Sequence, residues 1–496
     1  MPLCVLFALA ATAPASPLSI DNEFLSAVYD PATDRFTLSA KAGGGRIADG
    51  RFPGGGGATE AGPAQDPTFG AGRAITIRRA DGSTRTIRLF PGLPFALFGG
   101  TIPNAGAAPL VTNRVDLLSA AVEGEGLVTL GTDGLRAPDK NPGSYAFLAV
   151  ADPKTRAGTV GGWLTHDRGS GVVFSPATNG QVRLDAVIEY GRLRIAPGAA
   201  AETEFFALGL FADTRLGLEA WADAIARHYR VKLPPQPAGY CTWYADQHSG
   251  ACDEKHIVEL NEAAARELKP FGFDFVLIDD GWQDGAKSKN GPRKVFDRIR
   301  PDGPYPSGMK AAADGMTARG LTPGIWFMPF AGTFDDPFFA DKQDWFVHTA
   351  DGKPYDTRWG GTSLDMTHPA ARDRLRAIAS RIAHEWGYRV FKMDGMWTGT
   401  ATPLRYVQNG WKDDGIGDAV FHNPDKTNIE AYRDGIRLVR EAAGPGVYLL
   451  GCCVSQNMRS FGGAFGLLDG MRIGPDTGSQ EIGAPHGSRL SFPHGR

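Results

Sequence analysis

The chain has 496 residues, and 52 Lys plus Arg against 55 Asp plus Glu leave a net charge of −3. At roughly 100 to 200 residues per domain this allows two or three domains. Hydrophobic residues at 42% and charged residues at 22% exclude wholesale disorder and a polytopic membrane protein, and a near-neutral chain without a basic run offers no footprint for nucleic acid or anionic lipid.

The first 15 residues, MPLCVLFALAATAPA, are apolar, too short to span a bilayer, and end on the small-residue site Ala13, Pro14, Ala15. They read as a secretory signal peptide, atypical in lacking a Lys or Arg before the apolar stretch, so a secreted or periplasmic protein is expected. From residue 20 to 215 short alternating runs, such as Ala74 to Arg78, Thr86 to Phe90 and Val182 to Ile188, are punctuated by Gly, Pro, Asn and Asp. Period-2 alternation of this kind predicts an N-terminal antiparallel β-sandwich. The stretch Gly43 to Gly72, with four consecutive glycines at 54 to 57, predicts a loop or a disordered insert. A helix over Leu216 to Tyr229 and the stiff, proline-rich Leu233 to Pro237 then form a connecting segment, 216–238.

Beyond it the rhythm becomes strand, loop, helix. Apolar runs at Gly239 to Trp243, Phe273 to Ile278, Thr322 to Phe330, Tyr388 to Met393, Val447 to Val454 and Gly466 to Ile473 alternate with helical spacing. The helical segments are Asp253 to Leu268, Ser307 to Arg319, Pro369 to Trp386 and Thr427 to Ala443, the last opening with a capping pair, Thr427 and Glu430. Such a pattern means parallel strands covered by helices, in a doubly wound sheet or a (β/α)8 barrel. Two features favour the barrel. No G-x-G-x-x-G or P-loop follows Trp243, and ionisable groups stand where successive strands run out, the end at which barrel loops converge. These ends read Asp279-Asp280-Gly281-Trp282, Trp326 to Pro329, Lys392 to Gly395, Cys452 to Ser455 and Arg472 to Asp476.

Carboxylates beside aromatic residues suit sugars, because Asp accepts hydrogen bonds from vicinal hydroxyls and Trp offers a flat apolar platform to a pyranose. Two carboxylates from different strands also meet the need of a glycosidase, one as nucleophile and one as proton donor. Each has a blander counterpart: Asp394 before Gly395 suits a turn, Asp279 and Asp280 suit a helix cap, and Trp326 and Trp397 suit packing. Asp469 reads as structural, Asp365 as a brace or cap for the helix after Pro369, and His248, His256 and His348 show no pairing pattern. Five scattered cysteines form neither a disulfide scaffold nor a zinc motif, so no structural metal is expected, and a glycosidase reading requires no metal or organic cofactor.

Together GYCTWY (239–244), FDFVLIDDGWQ (273–283), GLTPGIWFMP (320–329), SLDMTHPAARDRL (363–375) and VFKMDGMW (390–397) resemble the α-galactosidase clan of glycoside hydrolases, closest to its melibiase-type and raffinose-synthase-like branches. The resemblance implies a β-sandwich before a (β/α)8 TIM barrel and a retaining hydrolase of terminal α-galactosyl residues. It implies Asp394 as nucleophile and Asp476 as acid/base. Lys392, Asp279, Asp280, Trp243, Trp282, Arg472 and Cys453 are then the sugar contacts, and Trp326 is read beside them as a wall of the pocket. The Gly-rich run expected after Cys453 is replaced by Val454 to Asn457, which leaves the contact to the sugar 2-position open. The expected partner is a carbohydrate, neither nucleic acid nor membrane. A transglycosylase of the raffinose-synthase kind and a non-catalytic sugar-binding relative are the alternatives. Since a βα unit needs about 30 residues and 20 follow Asp476, the barrel over 239–496 is expected to be truncated after its sixth strand.

Overall fold

A computed structural model describes residues 16–43, 45–178, 180–244, 250–287, 291–402, 416–417, 419–452 and 459–472. The leader-like residues 1–15, His248, Cys453 and Asp476 lie outside the described residues, as does the tail from which the truncation is argued.

Residues 18–211 form two antiparallel sheets, of nine and ten strands. Each sheet has an apolar inner face, and the second is also apolar on part of its outer face, which a helix covers. The two inner faces meet in a common core in which Phe36, Leu38, Leu118 and Ile188 of one sheet pack with Ile75, Ile87, Phe98 and Phe206 of the other. The rings of Phe36 and Phe98 lie 5.0 Å apart across this core.

The expected loop over 43 to 72 is corrected. Arg46–Arg51 and Ala58–Asp66 are strands, and the latter pairs with Gly70–Arg78 in an unbroken register from Ala58↔Arg78 to Asp66↔Gly70. Ala58–Asp66 is the edge strand of its sheet, exposed along most of its length. Side-chain burial contributes little there, so no apolar alternation is needed; the backbone ladder holds it, and an edge position tolerates Pro63.

Helix α1 (Thr214–Tyr229) is capped by Asp213, whose carboxylate accepts the Arg215 N–H at 3.0 Å. It packs on the second sheet through Trp221, whose ring lies 5.1 Å from that of Phe147. An extended segment then leads into six parallel strands: Gly239–Cys241, Phe275–Ile278, Thr322–Phe327, Val390–Met393, Tyr448–Gly451 and Gly470–Met471. They lie side by side in chain order, without the reversal a doubly wound sheet would show. Between them run α2 (Glu254–Ala263), α3 (Met309–Ala318), α4 (Pro369–Ser380), α5 (Asn428–Ala443) and the single turn α6 (Arg459–Gly463). Thr427 and Glu430 form the expected capping box at α5. Asp365 braces the approach to α4 rather than capping it, accepting the N–H groups of Thr367 (2.7 Å) and His422 (2.6 Å).

The parallel sheet and the N-terminal sheets are joined by polar contacts. Arg459 pairs with Glu189 at 2.5 Å, Arg433 with Asp167 at 3.1 Å, and the Thr427 hydroxyl donates to the Arg168 carbonyl at 2.6 Å.

Candidate active site

The site is built at the carboxyl ends of the first four parallel strands. In the fourth strand Val390, Phe391 and Met393 are fully or nearly fully buried, and the period of two puts Lys392 and Asp394 on one face. Lys392 pairs in register with Trp326 of the third strand, and the Asp394 N–H continues the ladder to the Phe327 carbonyl at 2.9 Å. Register thus brings Trp326 beside Asp394, and the indole N–H donates to Asp394 Oδ2 at 2.8 Å. The other carboxylate oxygen accepts the Gly395 N–H at 2.7 Å. Gly395 has φ 59°, and a Cβ there would meet the Met328 methyl at 2.5 Å, so the turn that aims Asp394 requires glycine.

Asp279 and Asp280 follow the second strand. The Asp279 carboxylate is 2% exposed and accepts the Lys392 ammonium at 2.6 Å through Oδ2. The same oxygen lies 3.1 Å from the Cys241 sulfur, on the first strand. The backbone N–H of Asp279 donates to the Thr242 hydroxyl at 3.0 Å. Asp280 is held by Gln283, whose amide nitrogen donates both to Asp280 Oδ1 at 2.7 Å and to the Arg293 carbonyl at 2.8 Å.

Electrostatics separates these groups. Burial opposes the charge on Lys392, but the attraction of Cys452, Asp279, Cys241 and Asp394 outweighs it and holds the ammonium well above the usual lysine value. Burial raises the Asp280 carboxyl; Gln283 and Lys294 pull it down, while Asp279 and Asp394 add to the rise. Lys294, 1% exposed, is lowered to about 8 by burial, with Asp280 and Asp356 opposing that fall.

The structure therefore brings together Asp394, Lys392, Asp279, Asp280 and Trp326 among the residues singled out from sequence. Trp282 lies behind them: fully buried, its N–H donating to the Trp326 carbonyl at 2.9 Å and its ring 5.6 Å from that of Trp386, it supports the strand end and presents no open face. Trp243 stands at the rim, 39% exposed, in the turn after the first strand. Arg472 closes the sixth strand, its N–H bonded to the Gly451 carbonyl at 2.9 Å. Asp469 is structural, accepting Arg440 at 2.5 Å and the Leu449 N–H at 2.7 Å. Sequence reasoning missed Cys241, Gln283 and Lys294; their roles arise from contacts between strands and loops, which spacing does not report.

The family model described as Melibiase matches residues 240–403. An A type blood α-D-galactosamine galactosaminidase of Flavonifractor plautii is 28% identical over 218 residues, 41% of this chain and 19% of that protein. The α-galactosidase Mel36A of Lactobacillus acidophilus is 28% identical over 112 residues, 22% of this chain and 14% of that protein. This chain thus spans less than a fifth of either relative's length. Among solved structures, an α-galactosidase of Lactobacillus brevis superposes with a TM-score of 0.61 at 14% identity, covering 92% of this chain and 72% of that one. A substituted α-galactosidase AgaA of Geobacillus stearothermophilus, in complex with stachyose, gives a TM-score of 0.60 at 14% identity over 92% and 74%. Residues 240–403 are thus similar to the melibiase family of glycoside hydrolases, and the chain shares its fold with α-galactosidases.

Proposed function

We propose that the protein hydrolyses terminal α-galactosyl residues with retention of configuration, and that its six parallel strands are the first six of a (β/α)8 barrel. The observation that carries this reading is the setting of Asp394. Both its oxygens accept N–H donors, from Trp326 at 2.8 Å and Gly395 at 2.7 Å, an arrangement suited to an ionised carboxylate at a strand end. In this reading Asp394 attacks the anomeric carbon, forming a glycosyl-enzyme while Asp476 protonates the leaving oxygen; Asp476 then deprotonates the incoming water. Asp279 and Asp280 accept substrate hydroxyls, Lys392 donates to them, and Trp243 walls the rim. Arg472, which closes the sixth strand, and Cys453 complete the sugar contacts. The apolar N-terminal stretch supports export, so the reaction takes place outside the cytoplasm.

The test is release of p-nitrophenol from p-nitrophenyl α-D-galactopyranoside, with products analysed in the presence and absence of a sugar acceptor. Hydrolysis that Asp394→Ala reduces at least about a thousandfold supports the reading. Transfer to the acceptor in place of hydrolysis favours a transglycosylase, and galactose binding without turnover favours a sugar-binding relative.

A further inference from the structure

Cys241 touches both members of the Asp279–Lys392 pair and has no place in the proposed reaction. Its position follows from the parallel register of the first two strands, which pairs Cys241 with Leu277, two residues before Asp279. The sulfur lies 3.1 Å from Asp279 Oδ2 and 3.7 Å from Lys392 Nζ. Chemistry fixes the direction of both contacts. An ionised carboxylate only accepts and an ammonium only donates, so the thiol proton points to Asp279 while the sulfur accepts from Lys392.

Asp279 has about four acceptor positions as a carboxylate. Oδ2 takes Lys392 at 2.6 Å and Cys241, and Oδ1 takes the Asp280 N–H at 2.8 Å. Among the described residues one position then remains without a donor.

We propose that Cys241 is a positioning residue, whose S–H and the Lys392 ammonium together lock the Asp279 carboxylate so that its single free acceptor position takes one substrate hydroxyl. This rests on the reading of Asp279 as a sugar-binding carboxylate. The thiol suits the task because it stays protonated: burial first, then the negative charge of Asp279, push it up, while Lys392 pulls the other way. A thiolate here would repel Asp279 and lose the proton that holds it.

Two measurements test this. The first needs no substrate: alkylation of the folded protein by iodoacetamide at pH 8, followed peptide by peptide, with Cys252 as the internal reference. Replacing Asp279 by Asn removes the charge that opposes the thiolate and leaves Lys392 beside it. Asp279→Asn is expected to speed alkylation of Cys241 about tenfold and to leave Cys252 unchanged; equal rates at Cys241 in both proteins would overturn the proposal. The second is kcat/KM on p-nitrophenyl α-D-galactopyranoside. Losing a hydrogen bond to a charged group predicts a fall of about tenfold or more for Cys241→Ala. Cys241→Ser, which restores a donor, should stay within about threefold of wild type. Equal losses in the two variants would mean that Cys241 only fills space and would overturn the proposal. Should Asp279→Asn unfold, the serine and alanine pair decides. Should wild type cleave no galactoside, the proposed function fails, and the alkylation experiment still judges the network by itself.

Discussion

The carboxylate of Asp394 is held by two N–H donors, and the indole of Trp326 is the one a mutation can remove without touching the backbone. Trp326→Phe keeps most of the ring in its buried slot and deletes that donor. A charge-assisted hydrogen bond is worth about 1.5 to 3 kcal/mol, so kcat should fall roughly ten- to a hundredfold with little change in folding stability. Steady-state kinetics beside thermal denaturation separates the two effects. At this scale the sequence was legible where chemistry and position coincide: Lys392 and Asp394 stand two apart after an apolar run, and Asp279 and Asp280 likewise end a strand. Cys241, Gln283 and Lys294 were not legible. Cys241 meets Asp279 and Lys392 only because three strands lie in register, and Gln283 reaches Asp280 and the Arg293 carbonyl only through the loop between them.

At the level of the element, the fourth strand and its turn set the aim of the site. Gly395 sits at φ 59° with Met328 against the place a Cβ would occupy. Gly395→Ala should destabilise the protein by about 1 to 3 kcal/mol and reduce kcat further than stability alone explains, since the Asp394 oxygen bonded to its N–H would shift. Urea denaturation together with kinetics at a temperature where the variant is fully folded checks both. Continuous apolar runs revealed the parallel strands because burial on both faces leaves that signature. The hairpin of Ala58–Asp66 and Gly70–Arg78 escaped notice for the opposite reason: small residues, glycines and a proline on an exposed edge give no alternation, though the backbone pairs throughout. The short α6 is a single turn, below the length at which helical periodicity can be recognised.

Across the whole molecule, the N-terminal sheets and the parallel sheet meet around His166. Its ring is fully buried, edge-on to Phe465 at 5.2 Å, and neither ring nitrogen has a protein partner among the described residues. Burial, reinforced by the positive charge of Arg433 and opposed by Asp167, lowers its pKa from 6.5 to about 3. Between these values the unfolded chain takes up a proton that the folded protein refuses, so stability falls as pH drops from about 6.5 towards 3, by on the order of 5 kcal/mol in all. His166→Phe should flatten that acid loss, measured as melting temperature against pH; an unchanged slope would refute the assignment. No such junction is visible in sequence, where His166 is one of ten scattered histidines. The central claim, that this whole assembly serves to present Asp394 as a nucleophile to an α-galactoside, is tested most directly by trapping. Incubation with a 2-deoxy-2-fluoro-α-galactosyl fluoride, proteolysis and mass spectrometry should find the fluorogalactosyl mass on the peptide containing Asp394, and none in Asp394→Ala. Label on another carboxylate, or turnover of galactoside with inverted product and no label, would contradict it.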